Sequence, residues 1–447
     1  MKKTLSLSEC ILVGSMLFGM FFGAGNLIFP VHMGQEAGAN IFAANIGFML
    51  TAIGLPFLGV IAMGLSRCGG LFDLASRVGV PYAHFMTVLL YLTIGPMFAL
   101  PRTGAVSFEI GLAGQLADET KTIALVVFTA IFFIIALLFS LKPGKIITWI
   151  GKFLNPLFLV FLAILLITAL LYPMGDPSAA AVQHSYADGD AFSKGLTEGY
   201  NTMDALASLA FGVIVIHSLR GLGLQKPSDI ALGTLKAGIV VVILMGVIYT
   251  FLSYLGAASL GALSLSDNGG IALAQISTYY FGSFGHIILA VTVTVACLKT
   301  AIGLITACST TFSEMYPHSL SYKQYAYVIT IVSFLISNVG LTSIIYLAVP
   351  ILMLLYPLAI TLILLTFISA AFGHSRTLYV TTTALTMLAA CGDMLNALPD
   401  SLKNTDSVSS LLQIYQQTLP LFDIGMGWVI PALIGIVVGA VIIFVRK

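Results

Sequence analysis

Apolar stretches of roughly 18 to 30 residues recur from one end of this sequence to the other. A run of about twenty apolar residues is what carries an α-helix across the hydrocarbon core of a bilayer. Repetition of such runs specifies an all-α polytopic membrane protein. Charged residues make up 8% of the chain, against roughly 25% in an ordinary soluble domain, so neither a soluble fold nor an anchored soluble domain fits. Lys and Arg total 19 against 18 Asp and Glu, which leaves no basic surface to hold nucleic acid. The cysteines (Cys10, Cys68, Cys297, Cys308, Cys391) are scattered without a C-x-x-C pair and read as small core residues.

The runs fall near 9–31, 39–64, 82–113, 122–141, 146–172, 196–219, 230–260, 283–313, 324–340, 342–371, 377–397 and 424–445, about twelve helices. Lys2 and Lys3 precede the first run as in a signal peptide. That run lacks a small-residue cleavage site and many spans follow, so it reads as the first membrane helix. An even count puts both termini on one side. Alternate connections then collect fourteen of the nineteen basic residues, among them Arg77, Lys142, Lys226, Lys323 and Arg376, while the opposite connections hold Lys121, Lys194 and Lys403. The positive-inside rule makes the basic side, and both termini, cytoplasmic. No linker interrupts the chain, so residues 1–447 form one membrane domain, and the longer outward connections near 173–195, 261–282 and 398–423 read as lid-like or re-entrant loops.

The first span carries Gly23-Ala24-Gly25-Asn26 near its middle and Pro30 one turn later. Glycine costs about 1 kcal/mol relative to alanine inside a helix, so this run either unwinds or serves close helix packing. Five spans later Ser208-Leu209-Ala210-Phe211-Gly212 lies at a similar depth. If helices 1–5 (about 9–172) and 6–10 (about 196–371) form an inverted repeat, with helices 11–12 (about 377–445) appended, the two weak points are equivalent. Matching interruptions point to a transporter's substrate site, because helix N-termini attract anions and freed carbonyls attract cations. An amino acid zwitterion suits such a site, and the surrounding Phe, Met, Leu and Ile suit an aliphatic tail.

Gly23-Ala24-Gly25-Asn26-Leu27-Ile28-Phe29-Pro30, Gly95-Pro96-Met97-Phe98-Ala99-Leu100-Pro101-Arg102-Thr103, Pro143-Gly144-Lys145 and Gly199-Tyr200-Asn201-Thr202-Met203-Asp204 together resemble the bacterial branched-chain amino acid:cation symporters, over nearly the whole chain. More distantly, both weak points resemble the broken helices of the sodium-coupled neurotransmitter-symporter fold. That resemblance implies substrate contacts at Ala24, Gly25, Ser208 and Phe211. It implies one sodium near Asn26 and a second held by the carbonyls of Gly19, Phe22 and Ala296 with the Thr300 hydroxyl. It also implies rocking of spans 1, 2, 6 and 7 against spans 3, 4, 8 and 9.

Lys299 departs from the pattern, standing where the distant relatives carry a hydroxyl ligand. Its ammonium either enters the sodium position as a tethered cation, which turns the coupling toward protons or removes it, or faces sideways and pairs with an acid or snorkels. Arg102 and Glu109 lie seven residues apart on one face of span three. They form either a structural pair that locks span three to span six through Asp204 or a gate that opens between states. His32, His217 and His286 are isolated and read as satisfied polar residues. Pro350 and Pro357 are expected to kink or flex span ten.

The expected function is import of leucine, isoleucine and valine across the bacterial inner (cytoplasmic) membrane, driven by sodium. The partners are the small-molecule substrate and membrane lipid. Nothing in the sequence calls for a cofactor beyond the coupling ion, sodium or a proton, or for an obligatory protein partner. A membrane-embedded enzyme needs paired acids or clustered histidines, which are missing. A proton-pumping subunit, for which Arg102, Glu109, Asp204 and Lys299 are raw material, gives no reason for paired weak points.

Overall fold

The computed structural model describes residues 4–66, 68–141, 155–187, 189–372 and 375–445. The start of the fifth expected span, the Pro143-Gly144-Lys145 stretch and the basic residues Lys2, Lys3, Arg67, Lys142, Lys145, Lys152, Arg446 and Lys447 lie outside them, as does the side chain of His217.

Every regular element among the described residues is helical. The first apolar stretch is divided into α1 (Leu7–Phe21) and α2 (Ala24–Ala37). The second holds α3 (Ile41–Met49) and α4 (Leu55–Ser66), joined by a π turn. The short α5 (Leu71–Ala75) leads to α6 (Val80–Leu92) and α7 (Ala99–Gly111), with a second π turn and Pro96 between them. Then come α8 (Asp118–Ser140), α9 (Asn155–Leu171), α10 (Ala191–Glu198), α11 (Asp204–Gly221), α12 (Pro227–Ser259) and α13 (Gly269–Met315). The chain closes with α14 (Tyr322–Ser337), α15 (Leu341–Ile368), α16 (Arg376–Asn396), α17 (Asp400–Lys403), α18 (Asp406–Thr418) and α19 (Val429–Val445). Seven of the described helical stretches are long and apolar enough to cross a membrane, or eight if the bent α11 counts as one span. Shorter apolar helices lie at Leu7–Gly19, Leu159–Leu171 and Val429–Val445.

The outer surface is the inverse of a soluble protein's. Ile123, Ile131, Ile134 and Leu138 on α8 and Val160, Ile164, Ile167 and Leu171 on α9 are exposed, a surface matched to lipid tails. Inside, hydroxyls turn back on their own helices: Thr93 donates to the Leu89 carbonyl at 2.7 Å, Ser107 to Thr103 at 2.7 Å and Thr382 to Leu378 at 2.8 Å. Pro350 and Pro357 sit within α15 without ending it.

Two groups of helices emerge from the packing. In one, α12 lies against α1, α2 and α4, and α11 against α4. In the other, α13 lies against α7, α8 and α14. The groups meet where α2 packs on α13, and α15 touches both. Small residues permit the closest crossings. A β-carbon on Gly34 of α2 would collide with the Ser253 carbonyl of α12, and one on Gly256 of α12 with the Val31 carbonyl of α2. Gly282, at φ 58°, lets α13 turn sharply in its first third.

Gly256→Val is therefore expected to destabilise the protein by about 1–3 kcal/mol through overpacking, read as a lowered thermal midpoint in detergent. Gly246→Ala on the same helix serves as the control, because its β-carbon meets Met49 Sδ at an ordinary 3.9 Å.

Candidate functional site

The division of the first span is local and abrupt. Phe22 (φ −70°, ψ 103°) and Gly23 (φ −132°, ψ −162°) are extended, so α1 ends and α2 begins two residues apart. The first turn of α2, from Ala24, has amide hydrogens without intrahelical acceptors, and no side-chain cap meets them. Asn26 holds the gap together. Its Oδ1 accepts the Gly23 amide hydrogen at 2.8 Å, and its Nδ2 donates to Asp204 Oδ2 at 2.5 Å and to the Tyr249 hydroxyl. Tyr249 also donates to Asp204 Oδ2, at 3.4 Å. One asparagine thus joins α2, α11 and α12 inside the protein. Asn26, Asp204 and Tyr249 are all buried.

Span six differs from the expectation. The Ser208–Gly212 stretch is not unwound: α11 runs from Asp204 to Gly221 and bends by 50° between Asp204–Gly212 and Ile214–Gly221. The irregular backbone lies earlier, in the 3-10 turn Gly199–Thr202 and at Met203, whose φ is +62°. Ser208 donates its hydroxyl to the Ala205 carbonyl at 2.7 Å and faces span two, where a β-carbon on Gly59 would collide with it. Phe211 instead lines a cavity.

That cavity, of about 840 Å³, has Gly19, Tyr91, Phe211, Lys299, Thr300 and Leu304 among its lining residues. Asp73, His84 and Glu314 also border it. Thr300 links it to the gap in the first span, since a β-carbon on Gly23 would lie 3.3 Å from Thr300 Oγ1. The Thr300 hydroxyl donates to the Ala296 carbonyl at 3.2 Å. Hydroxyl and carbonyl oxygens from α13 therefore stand beside the extended Phe22–Gly23 backbone, and oxygens are the ligands that suit a dehydrated alkali cation. Lys299 also faces this cavity, and among the described residues no acid pairs with it.

The expected locking pair between Arg102 and Asp204 is replaced by two separate arrangements. Asp204 is held by Asn26 and Tyr249, and Arg102 donates from Nη1 to the backbone carbonyl of Asn201 at 2.7 Å. The Arg102 guanidinium lies over the Phe29 ring, 4.9 Å from its centroid. Among the described residues no carboxylate comes within ion-pair distance of it. Glu109, on the same helix, lines a different cavity of about 600 Å³ together with Lys121, Gln275 and Tyr279. The two charges on span three thus serve different places.

The sequence does not single out Tyr249, and Asn201 stands out there only as part of the Gly199–Asp204 stretch. Tyr249 lies with Thr250 and Ser253 in an otherwise apolar span, and that cluster was the available signal. Asn201 acts through its carbonyl, which no side-chain pattern reveals. His32 Nε2 lies 3.0 Å from the Ser266 carbonyl and His286 Nε2 lies 3.2 Å from the Gly111 carbonyl, each beside a backbone acceptor. Among the described residues no three of His, Cys, Asp and Glu form a metal-binding group.

Residues 6–446 match the family of branched-chain amino acid transport proteins. The branched-chain amino acid permease BrnQ of Lactobacillus delbrueckii subsp. lactis is 49% identical over 96% of this chain and 96% of its own length. The protein of the same name in Bacillus subtilis is 42% identical over 100% of this chain and 99% of its own. Among solved structures, Mhp1, a nucleobase-cation-symport-1 family transporter in a closed conformation with bromovinylhydantoin bound, is similar with a TM-score of 0.60 at 14% identity, covering 96% of this chain and 91% of that one. MhsT in complex with L-phenylalanine has a TM-score of 0.57 at 19% identity, covering 99% of both chains. At these identities the likeness concerns the fold.

Asn26→Ala is expected to leave the Gly23 amide, the Asp204 carboxylate and the Tyr249 hydroxyl each short of a partner, costing about 1–3 kcal/mol or more. Tyr249→Phe, which keeps the Asn26–Gly23 bond, is expected to cost less. Thermal unfolding of both variants in the same detergent checks the order, and equal stability of Asn26→Ala and the unmodified protein would contradict it.

Proposed function

The chain belongs to the family of branched-chain amino acid transport proteins, and from that premise we propose a twelve-helix symporter that imports leucine, isoleucine and valine with sodium by alternating access. Its relatives are named permeases and its structural neighbours are transporters, so it is an integral membrane transporter and not an enzyme. One observation carries the mechanistic reading: the first span is interrupted at Phe22–Gly23, and that gap abuts Thr300 at the wall of a large cavity.

In this reading the ammonium and carboxylate of the amino acid lie at the gap near Ala24 and Gly25. Phe211 walls the aliphatic tail, and Ser208 stands behind it against span two. The coupling sodium takes the carbonyls of Gly19, Phe22 and Ala296 and the Thr300 hydroxyl. Asn26 is tied to Asp204 and Tyr249, so any ion near it shares those groups. The group of α1, α2, α4, α11 and α12 rocks against the group of α7, α8, α13 and α14, a division supported by their packing. The cavity reaches Asp73, His84 and Glu314, beside connections that the Lys and Arg bias assigns to the cytoplasm. The captured state is then inward-facing, with both termini cytoplasmic in the bacterial inner membrane.

Lys299 favours a second reading. It lines the cavity next to Thr300 without an acidic partner among the described residues, and an ammonium there donates hydrogen bonds and repels a cation. As a tethered positive charge it replaces that sodium and turns uptake toward pH dependence.

Leucine uptake into liposomes, measured against sodium concentration at two pH values for the unmodified protein and for Lys299→Thr, separates these readings. Sodium coupling gives saturable sodium activation that Lys299→Thr leaves unchanged. A tethered cation gives weak sodium dependence that Lys299→Thr strengthens. No uptake above protein-free liposomes under any condition would contradict transport itself.

A further inference from the structure

Arg102 is 5% exposed, and its guanidinium has five N–H donors in a rigid fork. One of them, on Nη1, reaches the Asn201 carbonyl at 2.7 Å, while Nε is buried without any partner among the described residues. The guanidinium plane is held over Phe29 at 4.9 Å. It is aimed at the start of α2, because a β-carbon on Gly25 would lie 2.8 Å from Nη2 and 3.3 Å from Cζ. Glycine at position 25 is thus the condition for that approach.

The place where the guanidinium arrives is itself positive. The first turn of the 14-residue α2 presents amide hydrogens that no side chain caps, and a helix N-terminus carries roughly half a positive charge. A buried guanidinium and a helix N-terminus repel one another unless an anion lies between them. The carboxylate of Asp204 is nearby, but Asn26 and Tyr249 donate to its Oδ2, and among the described residues no ion pair joins it to Arg102. Span three and span one therefore bring donors together at the start of α2: the guanidinium, with Nε unpartnered, and the first-turn amides. A carboxylate has two oxygens in the geometry that a guanidinium fork matches.

We propose that Arg102 is the receptor for the α-carboxylate of the transported amino acid, acting together with the first-turn amides of α2 across Gly25. The inference rests on the reading of the Phe22–Gly23 gap as the substrate site and adds a selecting residue from span three. It makes the transporter select for a free carboxylate. Analogues that keep the ammonium and the isobutyl group but lack the acid, leucinamide and leucinol, then lose the interaction with the guanidinium.

The test is binding of leucine, leucinamide and leucinol to the full-length protein in detergent, each measured by competition against radiolabelled leucine or by calorimetry. The unmodified protein is expected to prefer leucine to leucinamide by about 100-fold. Arg102→Gln is expected to weaken leucine by about 100-fold and the two analogues by less than about threefold, so that the preference collapses. Arg102→Lys, a point charge without the fork, is expected to restore part of it. If Arg102→Gln weakens all three ligands equally, the arginine only supports the backbone at Asn201, and the proposal is overturned. Undiminished leucine affinity in that variant overturns it too. Should Arg102→Gln not fold, Gly25→Ala takes its place, because the added methyl displaces the guanidinium. A retained preference there has the same meaning. Gly25→Leu separates this proposal from its premise. If Gly25→Leu loses leucine while Arg102→Gln keeps the preference, only the role of Arg102 fails. If Gly25→Leu binds leucine normally, the gap is not the substrate site and both readings fall.

Discussion

In a bilayer, a helix that stops partway must satisfy its loose amide hydrogens and carbonyls with other protein groups or beside a water-filled cavity, because lipid will not take them. At the Phe22–Gly23 gap Asn26 takes a share of that task. Its side-chain oxygen takes the Gly23 amide hydrogen, and its side-chain nitrogen reaches Asp204 and Tyr249 on two other helices. The same bonds that make the gap tolerable also tie α2, α11 and α12 together. Remaining polar groups near the centre lie around these bonds: Asn26 and Tyr249 donate to Asp204 Oδ2, and Arg102 donates to the Asn201 carbonyl and approaches the start of α2.

The cost of isolated charges in an apolar interior explains the rest of the layout. Each one is either bonded, as Asp204 is, or borders a cavity, as Glu109 and Lys299 do. The large cavity brings Lys299, Thr300 and Phe211 to one wall, and Gly23 connects that wall to the gap. Gly34 and Gly256 let the backbones of α2 and α12 approach closely on this side of the bundle.

The all-helical architecture was legible because uninterrupted apolar length is a strong signal that tertiary contacts do not overturn. The interruption of span one was legible as a weak point at Gly23–Asn26, but its position was not. The unwound residues are Phe22 and Gly23, because Asn26 acts through its side chain as a cap while remaining helical itself. Span six shows why weak formers are only a hint. A glycine costs only about 1 kcal/mol inside a helix, and Gly212 here sits in a helix that bends by 50° without unwinding. The pairing of Arg102 with Asp204 failed for another reason. Charge bookkeeping sees opposite signs but not neutral competitors from distant parts of the chain, and here Tyr249 and Asn26 took the carboxylate.

In the proposed mechanism the gap in span one holds the amino acid backbone. Amide hydrogen exchange over residues 19–30, with and without saturating leucine, tests it most directly, because the amides of Ala24, Gly25 and Asn26 lack intrahelical acceptors. Leucine is expected to slow exchange at these amides more than elsewhere in α1 and α2. Unchanged exchange there, with protection appearing only at another cavity such as the one bordered by Glu109 and Lys121, would contradict it.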